Sequence, residues 1–301
     1  MSRRLVITAD DIGLDERTVG AVAELARAGR LSAVSVIPMA PGAFQALEIL
    51  RASPVPSGRS PMGGQGLNAG LSIGLHATFT ADLARGAWGP LSPGASLVRP
   101  GGRQFHTNVV DFAAAAHPQD VLAELRAQIA LLRDSGVRPS HLDSHHGAIY
   151  GLVGPDFVQV ALEVCAENGL ALRLPRTLPW AMGEVAPSAR LTHERGIAAA
   201  DALGVRLPET IMTEWRPGAA LSGYADLRDS YLAMLRQLPD GLSEIFLHQA
   251  PPPTPGTRCS SALAKRVWEY RLLHDDAFGE ALATEGIEVV SWPGARLPIN
   301  A

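Results

Sequence analysis

RRLVITADDIGLDERTVGAVAELARAGRLSAVSVIP, residues 3–38, reads as strand, helix, strand. RRLVITA (3–9) is a β-branched apolar run. DERTVGAVAELARAG (15–29) has apolar residues at helical spacing, with Asp15 near its start and Gly29 at its end, and LSAVSVIP (31–38) returns to strand character. The order then recurs. Helical stretches are expected at 42–53, 118–136, 155–168, 223–238 and 261–285, and strands at 71–77, 139–145, 170–174, 243–249 and 287–292. Strand then helix, repeated about seven times, specifies a parallel sheet with helical crossovers, and that number of units favours an α/β barrel, complete or not, over an open sheet. No GxGxxG or GxxxxGK[ST] opens a helix, which removes the nucleotide-binding reason for an open sheet.

Three Pro/Gly/Ser-rich stretches, near 54–70, 81–105 and 250–260, break the rhythm and read as loop insertions. The first two flank the strand that carries His76 and the third follows His248, so they are placed either to shape a substrate cleft or to be surface insertions without a role. No repeat and no interdomain linker is visible, and residues 1–301 are expected to form one domain. Apolar residues make up 47% and charged residues 19%, enough for a full core. The net charge is −4, Lys265 is the only lysine and the arginines are scattered, so nucleic-acid and anionic-membrane partners are not expected. The opening residues read as the first strand rather than a signal peptide, and no window reaches the length of a spanning helix, which points to a soluble cytoplasmic protein. Cys165 and Cys259 are far apart and make no CxxC pair, so neither a disulfide nor a thiolate metal site is expected.

Polar residues fall at strand ends. Asp10 and Asp11 close the first strand, His76 the third, His141, Asp143 and His145 the next, and His248 the strand EIFLH. In a barrel of parallel strands those ends open on one face, where such folds build their sites. HLDSHH (141–146) sits between Pro139 and Gly147, too confined for a helix, and as a strand it sets His141, Asp143 and His145 on one face. A polar turn would account for one histidine. A His/Asp cluster beside further carboxylates and histidines favours a metal. In TADDIG (8–13), two successive carboxylates need a cation or a donor network, and one could instead cap the following helix. Adjacent strand side chains point differently, so the pair suits two tasks, one on a metal and one as general base. His76 alone would be a core histidine, but with an Asp and another His it completes a two-histidine, one-carboxylate site. His106, His117, His193 and His274 lack such companions and are expected to be solvated.

TADDIG, GLHATFT, PSHLDSHH and EIFLHQA, in that order, resemble the YdjC/ChbG family of carbohydrate deacetylases, and the similarity runs over nearly the whole chain. The resemblance implies a deformed TIM-like (β/α) barrel related to the polysaccharide deacetylases, removing an acetyl group from an N-acetylated sugar with one divalent metal ion, Mg²⁺ or Zn²⁺. It implies Asp11, His76 and His145 as metal ligands, Asp10 as general base and His248 as the proton donor to the leaving amine. Arg173 would contact substrate or support the site, as would His141, and Asp143 would orient a histidine. The partner would be a small N-acetylated carbohydrate, and a homodimer is compatible with all of this. The sequence departs from the family pattern at Gly147 and Ile149, where histidines are usual, at Gln249 after His248, and at Ile12 in ADDIG. Two other readings are a catalytically silent sugar-binding barrel and a metal-dependent hydrolase of another bond such as an ester; no phosphate cradle is visible.

Overall fold

The computed structural model describes residues 2–52, 70–82, 88–179, 183, 185–254, 256 and 259–293. Most of the 54–70 insertion, residues 83–87 of the second insertion and residues 255, 257 and 258 of the third lie outside the described residues.

Among the described residues, eight parallel strands form one sheet. They are β1 (Arg3–Ile12), β2 (Ala33–Val36), β3 (Ser72–Ala77), β4 (His141–Ser144), β5 (Ala171–Leu172), β6 (Ile211–Met212), β7 (Gly241–Leu247) and β8 (Ile287–Val289), ordered β5-β4-β3-β2-β1-β7-β6 with β8 beside the start of β1. The two edges approach each other: Leu172 N donates to Arg206 O (3.0 Å), Arg176 N to Pro208 O (2.8 Å) and Thr177 N to Glu209 O (2.9 Å). The sheet is therefore curled into a deformed barrel.

Helices cover its outer face. They are α1 (Glu16–Arg27), α2 (Ala43–Arg51), α3 (Val109–Ala115), α4 (Pro118–Asp134), α5 (Val158–Asn168), α6 (Pro187–Leu203), α7 (Tyr224–Arg236), α8 (Ser261–His274) and α9 (Asp276–Thr284). Capping follows local chemistry. Asp15 accepts from Arg17 N at the head of α1, Pro118 opens α4 without wasting an N–H, and Ser260 accepts from Leu263 N at the head of α8. The stretch 261–285, expected as one helix, is two: Asp275 is extended and its carboxylate accepts from Ala277 N, starting α9. Helices α3 and α6 and strand β6 were not expected from the sequence; β5 and β8 are shorter than the runs that suggested them. Among the described residues no helix is long and apolar enough to cross a membrane.

Both faces of the strands are buried, and they differ in character. Leu5, Ile7 and Ala9 of β1 join the large apolar cluster, whereas Val6 belongs to a small one with Ala33, Ala171 and Trp292. That small cluster closes the barrel interior near the N-terminal ends of the strands. Above it the interior turns polar, with Thr8, Ser35, Asp143, Arg173 and Glu244 all buried and hydrogen-bonded to one another. Between the two levels lies His141, its ring stacked on Trp292 at 5.1 Å.

Gly74 of β3 makes that stack possible. A Cβ at this position would lie 2.3 Å from the His141 ring, which is held between strand and indole. Gly74→Ala is expected to destabilise the fold by about 1–3 kcal/mol through overpacking, measured as a lower midpoint in urea unfolding with an unchanged slope.

Candidate metal centre

β1 slips register against β2 between Ala9 and Ile12, and Asp11 adopts left-handed backbone geometry (φ 62°). A regular strand would send Asp10 and Asp11 to opposite faces; the bulge lets both line the cleft at the strand ends. Their partners differ. Asp11 Oδ1 lies 3.5 Å from His76 Nε2 and 3.1 Å from His145 Nδ1, and its Oδ2 accepts from Arg266 Nη2 at 2.7 Å. Asp10 instead receives a two-pronged contact from Arg173, Nη1 to Oδ2 at 2.6 Å and Nη2 to Oδ1 at 2.8 Å.

The donors of Asp11, His76 and His145 all lie within 4.8 Å of one another and all three residues are buried. Asp11 Oδ1, the oxygen shared by the two imidazoles, is enclosed without a hydrogen-bond partner. Buried polar atoms left unmatched in this way are costly unless a ligand meets them. His76 Nδ1 contacts Asp143 Oδ1 at 2.6 Å, and Ser35 Oγ donates to the same oxygen at 2.6 Å, so the ring is fixed with Nε2 toward Asp11. Burial opposes charge on His76, yet the charges of Asp143 and Asp10 and the contact with Asp11 raise its pKa to about 10. Burial likewise favours the neutral acid at Asp11, but His145, His76 and the charge of His248 hold it well below the ordinary carboxylate range. Four carboxylates here, Asp10, Asp11, Asp143 and Glu244, face two guanidinium groups, Arg173 and Arg266. A donor set of two imidazoles and a carboxylate, with Asp11 Oδ1 unmatched among them, suits Zn²⁺ and its neighbours. A second grouping, Asp10, His76 and Asp143, is equally close but already contains the Arg173 cation.

Arg173, just after β5, is buried rather than presented to solvent. Besides Asp10 it binds Glu244 through Nε and Nη2, both at 2.8 Å, and lies 2.6 Å from Asp143 Oδ2. Thr8 Oγ1 donates to Glu244 at 2.6 Å and completes the network.

Asp10, Asp11, His76, His145 and Arg173 floor a cleft of about 350 Å³. His248 lines it, half-buried, with its backbone N–H donating to Glu269 of α8 at 2.8 Å. Arg266, on the same helix, reaches in to Asp11, and its carbonyl accepts from Ala250 N at 3.0 Å. The walls are largely apolar, with Leu152, Val158, Leu174, Ile211, Trp215 and Phe246 among them. His141 does not line the cleft and touches neither donor trio nor opening; Ser140 Oγ lies 2.9 Å from its Nδ1 and Trp292 stacks beneath it. Two histidines do so unforeseen. His146 (φ 55°) packs against His145 with ring centres 3.8 Å apart and planes tilted by 30°, and meets Thr80, and His193, expected to be solvated, lines the wall with Nε2 at 2.6 Å from Pro175 O. His106, also expected to be solvated, is buried.

Residues 4–284 match the family described as YdjC-like protein. The chain belongs to the YdjC-like family. It is 29% identical over 175 residues to a carbohydrate deacetylase of Enterococcus faecalis, covering 57% of this chain and 58% of that one. It is 24% identical over 177 residues to a chitooligosaccharide deacetylase of Escherichia fergusonii, covering 58% and 61%. The match thus spans about three-fifths of each of these relatives. A solved structure from Enterococcus faecalis, named for cellobiose-phosphate cleavage, superposes with a TM-score of 0.74 at 22% identity over 97% of this chain and 98% of the other. This YdjC-like chain therefore shares its fold with that protein.

The buried imidazole of His141 has a measurable consequence. Burial, reinforced by Arg173 and His76 and opposed by Asp143, pushes its pKa down to about 3, from 6.5 when unfolded. Between those values the unfolded chain binds a proton that the folded chain refuses, so this group withdraws stability as pH falls from 6.5 toward 3. At pH 5 the loss is about 2 kcal/mol. In urea unfolding, the stability advantage of wild type over His141→Gln is expected to shrink by about that amount between pH 7 and pH 5.

Proposed function

We propose that this chain is a metal-dependent hydrolase that removes the acetyl group from an N-acetylated sugar, releasing acetate and a free amine, and that residues 1–301 act as one deacetylase domain. The reading is carried by one observation: the donors of Asp11, His76 and His145 converge within 4.8 Å at the floor of a cleft that Asp10 and His248 also line. The deacetylase names of the family relatives support the same chemistry.

Asp11, His76 and His145 would hold the ion, Zn²⁺ or Mg²⁺. When bound, it supplies Lewis-acid polarisation of the acetamide carbonyl and acidifies water. Asp10, held in one orientation by Arg173, takes the proton of the attacking water as its oxygen bonds to the carbonyl carbon. His248 gives a proton to the sugar nitrogen as the C–N bond breaks, so that the amine leaves neutral. Asp143 holds the His76 ring through Nδ1. Arg266 occupies Asp11 Oδ2 and leaves only Oδ1 to bind a metal. A poor leaving group such as an amine needs the proton donor that His248 provides, which favours amide over ester hydrolysis. A silent binding barrel would need neither Asp10 nor His248 in the cleft.

Acetate release from a panel of N-acetylated sugars, with Zn²⁺, Mn²⁺, Fe²⁺, Ni²⁺ and Mg²⁺ in turn, tests the reading. Asp10→Asn is expected to keep its metal and lose about 10²–10⁴-fold in kcat. No release from any sugar with any ion would end the deacetylase reading, and near-full turnover by metal-loaded Asp10→Asn would end the base assignment. Arg266→Ala offers a second check in which the sign decides. Removing a positive charge beside a cation site should tighten metal binding if electrostatics alone matters, whereas loss of the grip on Asp11 should weaken it about tenfold in calorimetric titration. Weakening is the expected result.

A further inference from the structure

β6 delivers residues 213–216 to the mouth of the cleft, and the loop is clamped on both sides of Trp215. Glu214 is buried, and its carboxylate accepts from Arg216 N (3.0 Å), Nε (3.0 Å) and Nη2 (2.7 Å); Arg216 also reaches Asp226 Oδ1 at 2.9 Å. Glu214 N donates to the Tyr231 hydroxyl at 3.2 Å, and Lys265 Nζ donates to the Glu214 carbonyl. The indole between these two anchored neighbours is 39% exposed and lines the cavity. Its only ring contact among the described residues is edge-on to Phe246, at 5.8 Å and 75°. Phe246 in turn stands edge-on to His248, at 6.0 Å and 78°.

A single exposed apolar side chain is ordinary on a protein surface. An indole carried on a backbone anchored before and after it, and lining a cleft, is different: less of its ordering cost falls on the ligand. A pyranose has one face of C–H groups and a rim of hydroxyls, which an aromatic plane can match while the hydroxyls stay wet. Position selects which ring. If the sugar nitrogen lies at His248, the acetamido-bearing ring stands next to that imidazole, whereas Trp215 is separated from it by the Phe246 ring.

We propose that Trp215 is a stacking platform for the sugar ring adjacent to the acetamido-bearing one, so that it sets a preference for substrates of at least two rings. The assignment rests on the deacetylase reading for the placement of the reacting sugar. N-acetylglucosamine and its β-1,4-linked dimer serve as probes for metal-loaded wild type, Trp215→Ala and Trp215→Phe. Trp215→Ala is expected to raise KM for the dimer about tenfold with kcat within about twofold, to leave the single-ring sugar unaffected, and to be partly rescued in Trp215→Phe. Titrating the dimer into metal-loaded Asp10→Asn should change the intrinsic fluorescence, and Asp10→Asn/Trp215→Phe should lose that change. Equal effects on one-ring and two-ring sugars, or a fluorescence change that survives Trp215→Phe, would overturn the proposal. If wild type releases acetate from neither sugar, the deacetylase reading fails for these substrates, while the fluorescence titration, which needs no turnover, still decides for or against the indole.

Discussion

One guanidinium group holds three carboxylates inside this barrel. Arg173 follows β5 and binds Asp10 of β1, Asp143 of β4 and Glu244 of β7, so a single positive charge ties four strands together at the level of the cleft floor. Away from water these charges tolerate one another only as a set: remove the guanidinium and Asp10, Asp143 and Glu244 lose the cation they share. The barrel interior at this height is therefore specified by charge and direction rather than by volume. Asp10 is aimed by Arg173, His76 by Asp143, and Asp11 by Arg266, so each group offered to the cleft is backed by a partner behind it. The chain has in effect two layers of polar residues, and the hidden one decides what the visible one can do.

Much of the visible layer was legible in the sequence. Carboxylates and histidines at the ends of apolar runs, in a chain of alternating strands and helices, could only converge if the strands were parallel, and Asp11, His76 and His145 do converge. The hidden layer was less so. The family resemblance marked Arg173 without giving its task, yet an arginine inside the apolar run LALRLP and a glutamate opening EIFLH are signs of buried counter-charges, since such residues are rarely enclosed unless paired. His141 misled because strand alternation places it on the same face as Asp143 and says nothing of depth; one level lower, it meets Trp292. Arg266 and His193 come from helices far along the chain, and no spacing rule connects them to Asp11 or to Pro175. Helix α6 escaped notice because it buries little, Gly196 and Ala200 on its inner face, and so shows no strong apolar stripe.

Backbone strain is confined to the same neighbourhood. Among the described residues only Asp11 and His146 are non-glycine residues with positive φ, and both belong to or adjoin the donor trio. Left-handed geometry costs an ordinary residue free energy and persists only where its surroundings insist on it. At Asp11 the insistence comes from the bulge that lets two successive carboxylates face one cleft; at His146 it comes from the turn that swings the chain away directly after His145. Replacing either conformation with a relaxed one would return a side chain to the wrong face.

Helix α8 touches the centre from both sides. Arg266 grips Asp11 while Glu269, one turn on, takes the backbone N–H of His248, and the Arg266 carbonyl anchors the chain just beyond that histidine. Asp11, one of the three residues proposed to bind metal, and His248, proposed to deliver the proton, are thus both tied to one helix. The orientation of Asp11 and the placement of His248 are thereby coupled through α8. Variation in the loops around the mouth can then retune what enters without disturbing that coupling.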